Sequence, residues 1–194
     1  MSLKRRLLLH ICCAPDATIP CRALEAEGYE VRGFFYGNNI HPWCEWQKRR
    51  DAVIKLSSLF GFEADIAPYS PAAWLSSTRQ QHGEQEGGAR CEACFALQLE
   101  STVSNAALGG FDHVCTTLSI SPRKNPEIIN RLGREKAYAA GIKWIDRVWR
   151  KNDGFKLSVM MSREMNLYRQ NYCGCVYSAK RDVESDGICE RSVG

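Results

Sequence analysis

The sequence predicts an α/β fold, a parallel sheet flanked by helices. Short apolar runs alternate with stretches of helical period along most of the chain, and glycines fall just past four of those stretches. No repeat, low-complexity tract or linker interrupts the alternation. The first apolar run, residues 7–12 (LLLHIC), reads as a buried strand, and residues 31–36 read as a second. Residues 64–67, 112–117 and 143–145 complete a set of five. Helices are expected between the strands, over residues 19–26, 45–60, 92–107 and 126–140, with a last one over 156–167. Gly28, Gly61, Gly109 and Gly141 stand where a helix C-terminus calls for positive φ. In such sheets ligands bind beyond the carboxyl ends of the strands. Cys12-Cys13, Asn38 to His41 and Thr116-Thr117 are the residues placed there.

A chain of 194 residues can bury one core. Residues 1–178 are expected to form a single domain and residues 179–194 a C-terminal tail. The composition, 44% hydrophobic and 25% charged, is that of a soluble globular protein. No apolar run approaches the roughly 20 residues a membrane helix needs. The opening KRRLLLHICCAP mimics a secretory leader, but His10 interrupts it and no small-residue cleavage site follows. It is read as a strand, and the protein as cytoplasmic. The net charge of +4 neither demands nor excludes a nucleic-acid partner. Local basic groups (Lys48-Arg49-Arg50; Arg123-Lys124; Arg131, Arg134 and Lys136; Arg147, Arg150 and Lys151) are either solvated helix faces with ion pairs or phosphate contacts.

Ten cysteines in a chain of this kind point to metal or redox chemistry rather than to a disulfide scaffold. Cys12 and Cys13 are adjacent at the mouth of the first strand, and Cys91 and Cys94 form a C-x-x-C where a helix opens. A helix N-terminus favours thiolates, and thiolates bind metals. Four of them suit zinc or an iron–sulfur cluster. Zinc sites usually pair two C-x-x-C knuckles, and a thioredoxin-like dithiol would follow an early strand. A third reading makes Cys12 or Cys13 a small buried hydrophobe. Tyr172-Cys173-Gly174-Cys175 is a second constellation, whose sulfurs either bond to each other in a strained ring or share a metal. Cys21 and Cys115 read as core residues, Cys44 lies near a helix start, and Cys189 falls in the tail.

Taken in order, LLLHICCAPDAT, FFYGNNIHP, the helix carrying KRR, EGGARCEACFALQLE, CTTLSISPRKN and LYRQNYCGCVYS resemble the QueH-type epoxyqueuosine reductases, from about Leu7 to Ser178. The resemblance implies a fold related to the adenine-nucleotide α-hydrolases. It also implies reduction of epoxyqueuosine to queuosine at the wobble position of tRNA, the final step in making that base. Cys12, Cys13, Cys91 and Cys94 match the cysteines of a [4Fe–4S] cluster, making residues 1–178 an iron–sulfur catalytic domain. Cys173 and Cys175 match a redox-active pair. Asp16 matches a position held by Asp or Cys, a candidate ligand for an additional metal ion such as a mononuclear iron. Trp43-Cys44 and the segment after Ser178 depart from the pattern. ATP-using relatives of this fold carry a Gly-rich phosphate loop where this chain has CCAPDAT, so no ATP use is expected.

The implied reaction needs electrons, from a donor the sequence does not identify, and protons. Tyr172, His41 and Asp16 are the proton-donor candidates by side-chain type; His10 reads as a core histidine. Two other functions stay open at this point. One is a zinc-stabilised tRNA-binding module, which leaves Cys173 and Cys175 unexplained; the other is a thiol–disulfide oxidoreductase acting through those two residues alone.

Overall fold

A computed structural model describes residues 5–179. Five strands, β1 (Arg5–His10), β2 (Tyr29–Phe35), β3 (Ala64–Ile66), β4 (His113–Thr116) and β5 (Lys143–Trp144), form one parallel sheet in the order β3-β2-β1-β4-β5. Six helices, α1 (Ala14–Ala26), α2 (Trp43–Phe60), α3 (Ala72–Thr78), α4 (Ala89–Leu108), α5 (Pro126–Ala139) and α6 (Gly154–Glu164), connect and cover it. β1 is central, and Leu7, Leu8 and Leu9 are all buried because both of its faces are covered. Leu7 and Leu9 pack with Cys21 and Leu24 of α1 and Val53 and Leu56 of α2. Leu8 points the other way, to Val103 and Ala106 of α4 and Ala137 of α5. A continuous apolar run is what such a two-sided strand needs.

The strand order reverses between β1 and β4, so the chain leaves these two strands in opposite directions and opens a crevice beyond their carboxyl ends. Cys12 and Thr117 face each other across it: the Cys12 N–H donates to Thr117 Oγ1 at 3.1 Å.

The five strands lie where the sequence predicts them, within two residues, and the main differences are in the helices. α1 begins at Ala14 rather than at residue 19. Pro15 is tolerated in the first turn, where its missing N–H has no partner to lose. Pro20 lies within the helix. As a result Cys13 is the residue that precedes the helix and Asp16 is in its first turn. α3 is absent from the sequence reading; with Trp74 and Thr78 its only buried residues, it carries too short a pattern to register. Gly28, Gly61 and Gly141 have positive φ as predicted, but Gly109 does not (φ −83°); the left-handed residue is Gly110 (φ 65°). The tail reading and Cys189 lie outside the described residues. No helix among the described residues is long and apolar enough to cross a membrane.

Candidate active site

A cavity of about 230 Å³ opens at the β1/β4 crevice, and Cys12, Asp16, Cys91, Cys94, Cys173 and Cys175 all line it. Residues up to 163 positions apart in the sequence thus share one space. Cys13 lies beneath it, buried, with its sulfur 2.9 Å from Gln170 Nε2. The ligand atoms of Cys12, Cys13 and Asp16 lie within 4.8 Å of one another.

Each of the four sulfurs Cys12, Cys13, Cys91 and Cys94 is met by a hydrogen-bond donor. The Thr117 hydroxyl donates to Cys12 Sγ at 3.2 Å, and the Gln170 amide to Cys13. Gly87 sits in a left-handed turn (φ 96°) that presents its N–H to Cys91 Sγ at 3.2 Å. Cys94, one turn further along α4, accepts from Trp74 Nε1 and Gln98 Nε2, both at 3.1 Å. Donors of this kind favour thiolates over thiols. Burial opposes them at Cys94 and pushes its thiol up to about 12. A thiolate there therefore needs a cation beside it, which is the situation of a metal-ligating cysteine. In the vicinal pair, the Cys13 proton favours the thiolate at Cys12, whose pKa is lowered, while burial raises Cys13. When Cys12 is protonated it donates to Asp16 Oδ2 at 3.3 Å. This donor set fits a group that binds four thiolates.

The Cys173-Gly174-Cys175 turn is clamped from below. Arg49 Nη1 donates to the Cys173 carbonyl at 2.9 Å and Nη2 to the Tyr172 carbonyl at 3.1 Å. Its Nε pairs with Glu45 Oε1 at 2.7 Å, and the Tyr168 hydroxyl donates to Glu45 Oε2 at 2.6 Å. Gly174 has φ 112°, and a Cβ there would lie 2.7 Å from Arg49 Nη1, so both the conformation and the contact require glycine. The His41 N–H donates to the Gly174 carbonyl at 2.7 Å. All nine cysteines among the described residues are free thiols. Cys173 beside it lowers the pKa of Cys175, and the Ser178 hydroxyl lies 3.2 Å from the Cys175 sulfur.

Residues 7–181 match the model of the family described as epoxyqueuosine reductase QueH. The chain belongs to this family. It is 37% identical to the epoxyqueuosine reductase QueH of Thermotoga maritima, over 97% of both chains. The Streptococcus pyogenes and Haemophilus influenzae QueH proteins are 35% and 36% identical, over 92% and 90% of this chain and 72% of each relative. Two solved structures share the fold at 11% identity. One is the U34-tRNA thiolase NcsA of Methanococcus maripaludis with its [4Fe-4S] cluster, at a TM-score of 0.59 over 91% of this chain and 62% of that one. The other is a predicted tRNA methyltransferase subunit of Methanocaldococcus jannaschii, at 0.54 over 78% and 75%.

Within this QueH chain, several residues differ from the sequence reading. Tyr172, a proton-donor candidate by type, lines the cavity; its hydroxyl donates to the His41 carbonyl, and burial pushes its pKa up to about 12. His41 does not line the cavity; its ring packs against Trp74 and its pKa is lowered by burial. His10 is buried in β1 as expected, with Nδ1 2.8 Å from Thr116 Oγ1 and burial lowering its pKa to about 3. Arg49 is not a phosphate contact, since it is buried beneath the turn. Arg131, Arg134, Lys136 and Arg147 are paired with carboxylates, as solvated helix faces usually are. Lys124 turns toward the cavity: burial pulls its ammonium down, but the sulfurs of Cys12, Cys173 and Cys13 with Asp16 outweigh this and raise it. Trp74, Gln98, Thr117 and Gln170 were missed as donors to sulfur. Two of them had a sequence signal: Thr117 lies beyond the carboxyl end of a strand, and Gln98 stands four residues after Cys94 on one helix.

Proposed function

We propose that the chain reduces epoxyqueuosine to queuosine in the wobble position of tRNA, with Cys12, Cys13, Cys91 and Cys94 holding a [4Fe–4S] cluster. Family membership supports the reductase activity. The observation that carries the site reading is the set of donors meeting all four sulfurs around one cavity. The [4Fe-4S] cluster of NcsA, a U34-tRNA thiolase of the same fold, agrees with the proposal. A zinc-stabilised binding module draws no support from relatives named as reductases. A cluster held by these four residues would supply electrons one at a time.

The reaction breaks both C–O bonds of the epoxide, forms a carbon–carbon double bond and releases the oxygen as water. It consumes two electrons and two protons. Oxidation of the Cys173–Cys175 dithiol to a disulfide releases the same number of each, and an external electron donor must then restore the dithiol. The Arg49 clamp holds this pair at the cavity wall, and Cys173 is near enough to Cys94 to raise its pKa. A three-residue ring is a strained disulfide and therefore readily reduced. The double variant Cys173→Ser/Cys175→Ser is expected to keep iron and sulfide but to lose turnover with the physiological donor. Wild-type turnover with both physiological and chemical reductants would exclude the pair from the reaction.

Asp16 is proposed as the ligand of an additional metal ion or the holder of a proton near the leaving oxygen, rather than as a cluster ligand. Its carboxylate lines the cavity beside Cys12. Asp16→Ala is expected to retain most of the cluster absorbance while reducing turnover about 100-fold, the lower end of the 10²–10⁴-fold typical of general acid–base catalysis. Unchanged turnover with intact iron content would rule this role out.

A further inference from the structure

The cavity is lined by five cationic side chains, Arg49, Arg90, Arg123, Lys124 and Arg169, against two carboxylates, Asp16 and Glu86. Arg49 is neutralised by Glu45, and Arg90 is buried with Nη1 on the carbonyls of Gln81, His82 and Glu84. Arg123 and Arg169 are different. Both are exposed, and neither has a carboxylate partner among the described residues, whereas the arginines and lysine of α5 are all paired. Beside them Phe155 lines the same rim and is 36% exposed.

Phe155 is held there by an unusual piece of backbone. Asn152 (φ 52°) and Asp153 (φ 60°) are consecutive left-handed residues without glycine, a costly arrangement. Asp153 gains no capping hydrogen bond from it. At Gly154 a Cβ would lie 1.8 Å from the Trp149 carbonyl oxygen, so α6 starts pressed against that backbone. Trp149 is itself tied to the end of β4 by Nε1–H to the Thr116 carbonyl at 2.8 Å. The strained turn thus fixes an exposed aromatic ring on the lining of the cavity that Arg123 and Arg169 share, Arg169 with a single hydrogen bond to Ser162 Oγ at 3.0 Å and neither guanidinium neutralised by a carboxylate.

We infer that Phe155, Arg123 and Arg169 form a nucleotide clamp: the ring stacks on a base flanking the one that enters the cavity, and the guanidinium groups take the adjacent phosphates. Aromatic platforms among cations are how single-stranded RNA is held without base-specific hydrogen bonds. The inference rests on the proposed tRNA substrate and names the part of it that is gripped, the unpaired anticodon loop.

The test is binding of the full chain to a synthetic anticodon stem–loop RNA, followed by fluorescence polarisation across a salt series. Phe155→Ala is expected to weaken binding about tenfold, in line with the loss of one base stack, and Phe155→Trp to bind within roughly twofold of wild type. Arg123→Ala/Arg169→Ala is expected to flatten the log–log salt slope by about 1.4, two single-strand phosphates at about 0.7 each. Wild-type affinity in Phe155→Ala, or an unchanged slope in the arginine variant, overturns the clamp while the reductase reading stands. If the wild-type chain does not bind the hairpin, the tRNA reading falls with it.

Discussion

Cys91→Ser and Cys94→Ser are each expected to purify with most of their iron and acid-labile sulfide missing and to reduce epoxyqueuosine-containing tRNA at least about 100-fold more slowly, at or beyond the upper end for removing a residue one shell outside a metal. A hydroxyl is a far poorer ligand than thiolate for iron. The two positions are not equivalent. Cys94 is buried and receives two side-chain donors, Trp74 and Gln98, which a serine oxygen would leave badly placed. Cys91 is half-buried and receives one backbone N–H. Cys94→Ser should therefore lose stability as well as metal, and Cys91→Ser chiefly metal. Cys115, a buried thiol in β4 that does not line the cavity, is the control. Cys115→Ser should keep its iron. Full iron and sulfide in both Cys91→Ser and Cys94→Ser would sink the ligand assignment.

The second large effect is expected at Arg49. Arg49→Met leaves Glu45 buried without its partner and removes both donors that hold the Tyr172 and Cys173 carbonyls. Breaking one side of a buried pair costs about 3–5 kcal/mol. For a chain of this size that corresponds to a melting-temperature drop of roughly 10 °C. Arg49→Lys keeps the charge but not the fork, and a single ammonium cannot replace three directed contacts. It should recover part of the stability and little of the activity. Glu45→Leu/Arg49→Met removes both charges, so its melting temperature should rise well above that of Arg49→Met. Its turnover should stay low, because the turn has still lost its clamp. Wild-type turnover in the double variant would show that the clamp serves stability alone.

The sheet was legible because its strands are short apolar runs and its central strand, buried on both faces, is a continuous one (Leu7 to Leu9). The cysteines were legible as chemistry because a vicinal pair followed the first strand and a C-x-x-C opened a helix. Neither observation could place Cys173 and Cys175 in the same cavity; the topology does that, by bringing the segment after α6 back over the β1/β4 crevice. Arg49 was misread because KRR within a helical stretch looks like a solvated face, and nothing local distinguishes the member that turns inward. Trp74 and Gln170 lay in stretches too short or irregular to assign, and their role depends on sulfurs remote in sequence. The paired cations of α5 followed the ordinary expectation for an exposed helix, which left Arg123 and Arg169 visible only by contrast.

The most direct test of the central claim is turnover measured against metal content. The full chain, purified without oxygen, is loaded to graded levels with iron and sulfide, and each preparation is assayed for conversion of epoxyqueuosine to queuosine in tRNA. The account predicts that activity rises in proportion to acid-labile sulfide and that the metal-free protein is inactive. Conversion by the metal-free chain, or by a zinc-loaded one lacking sulfide, would contradict it.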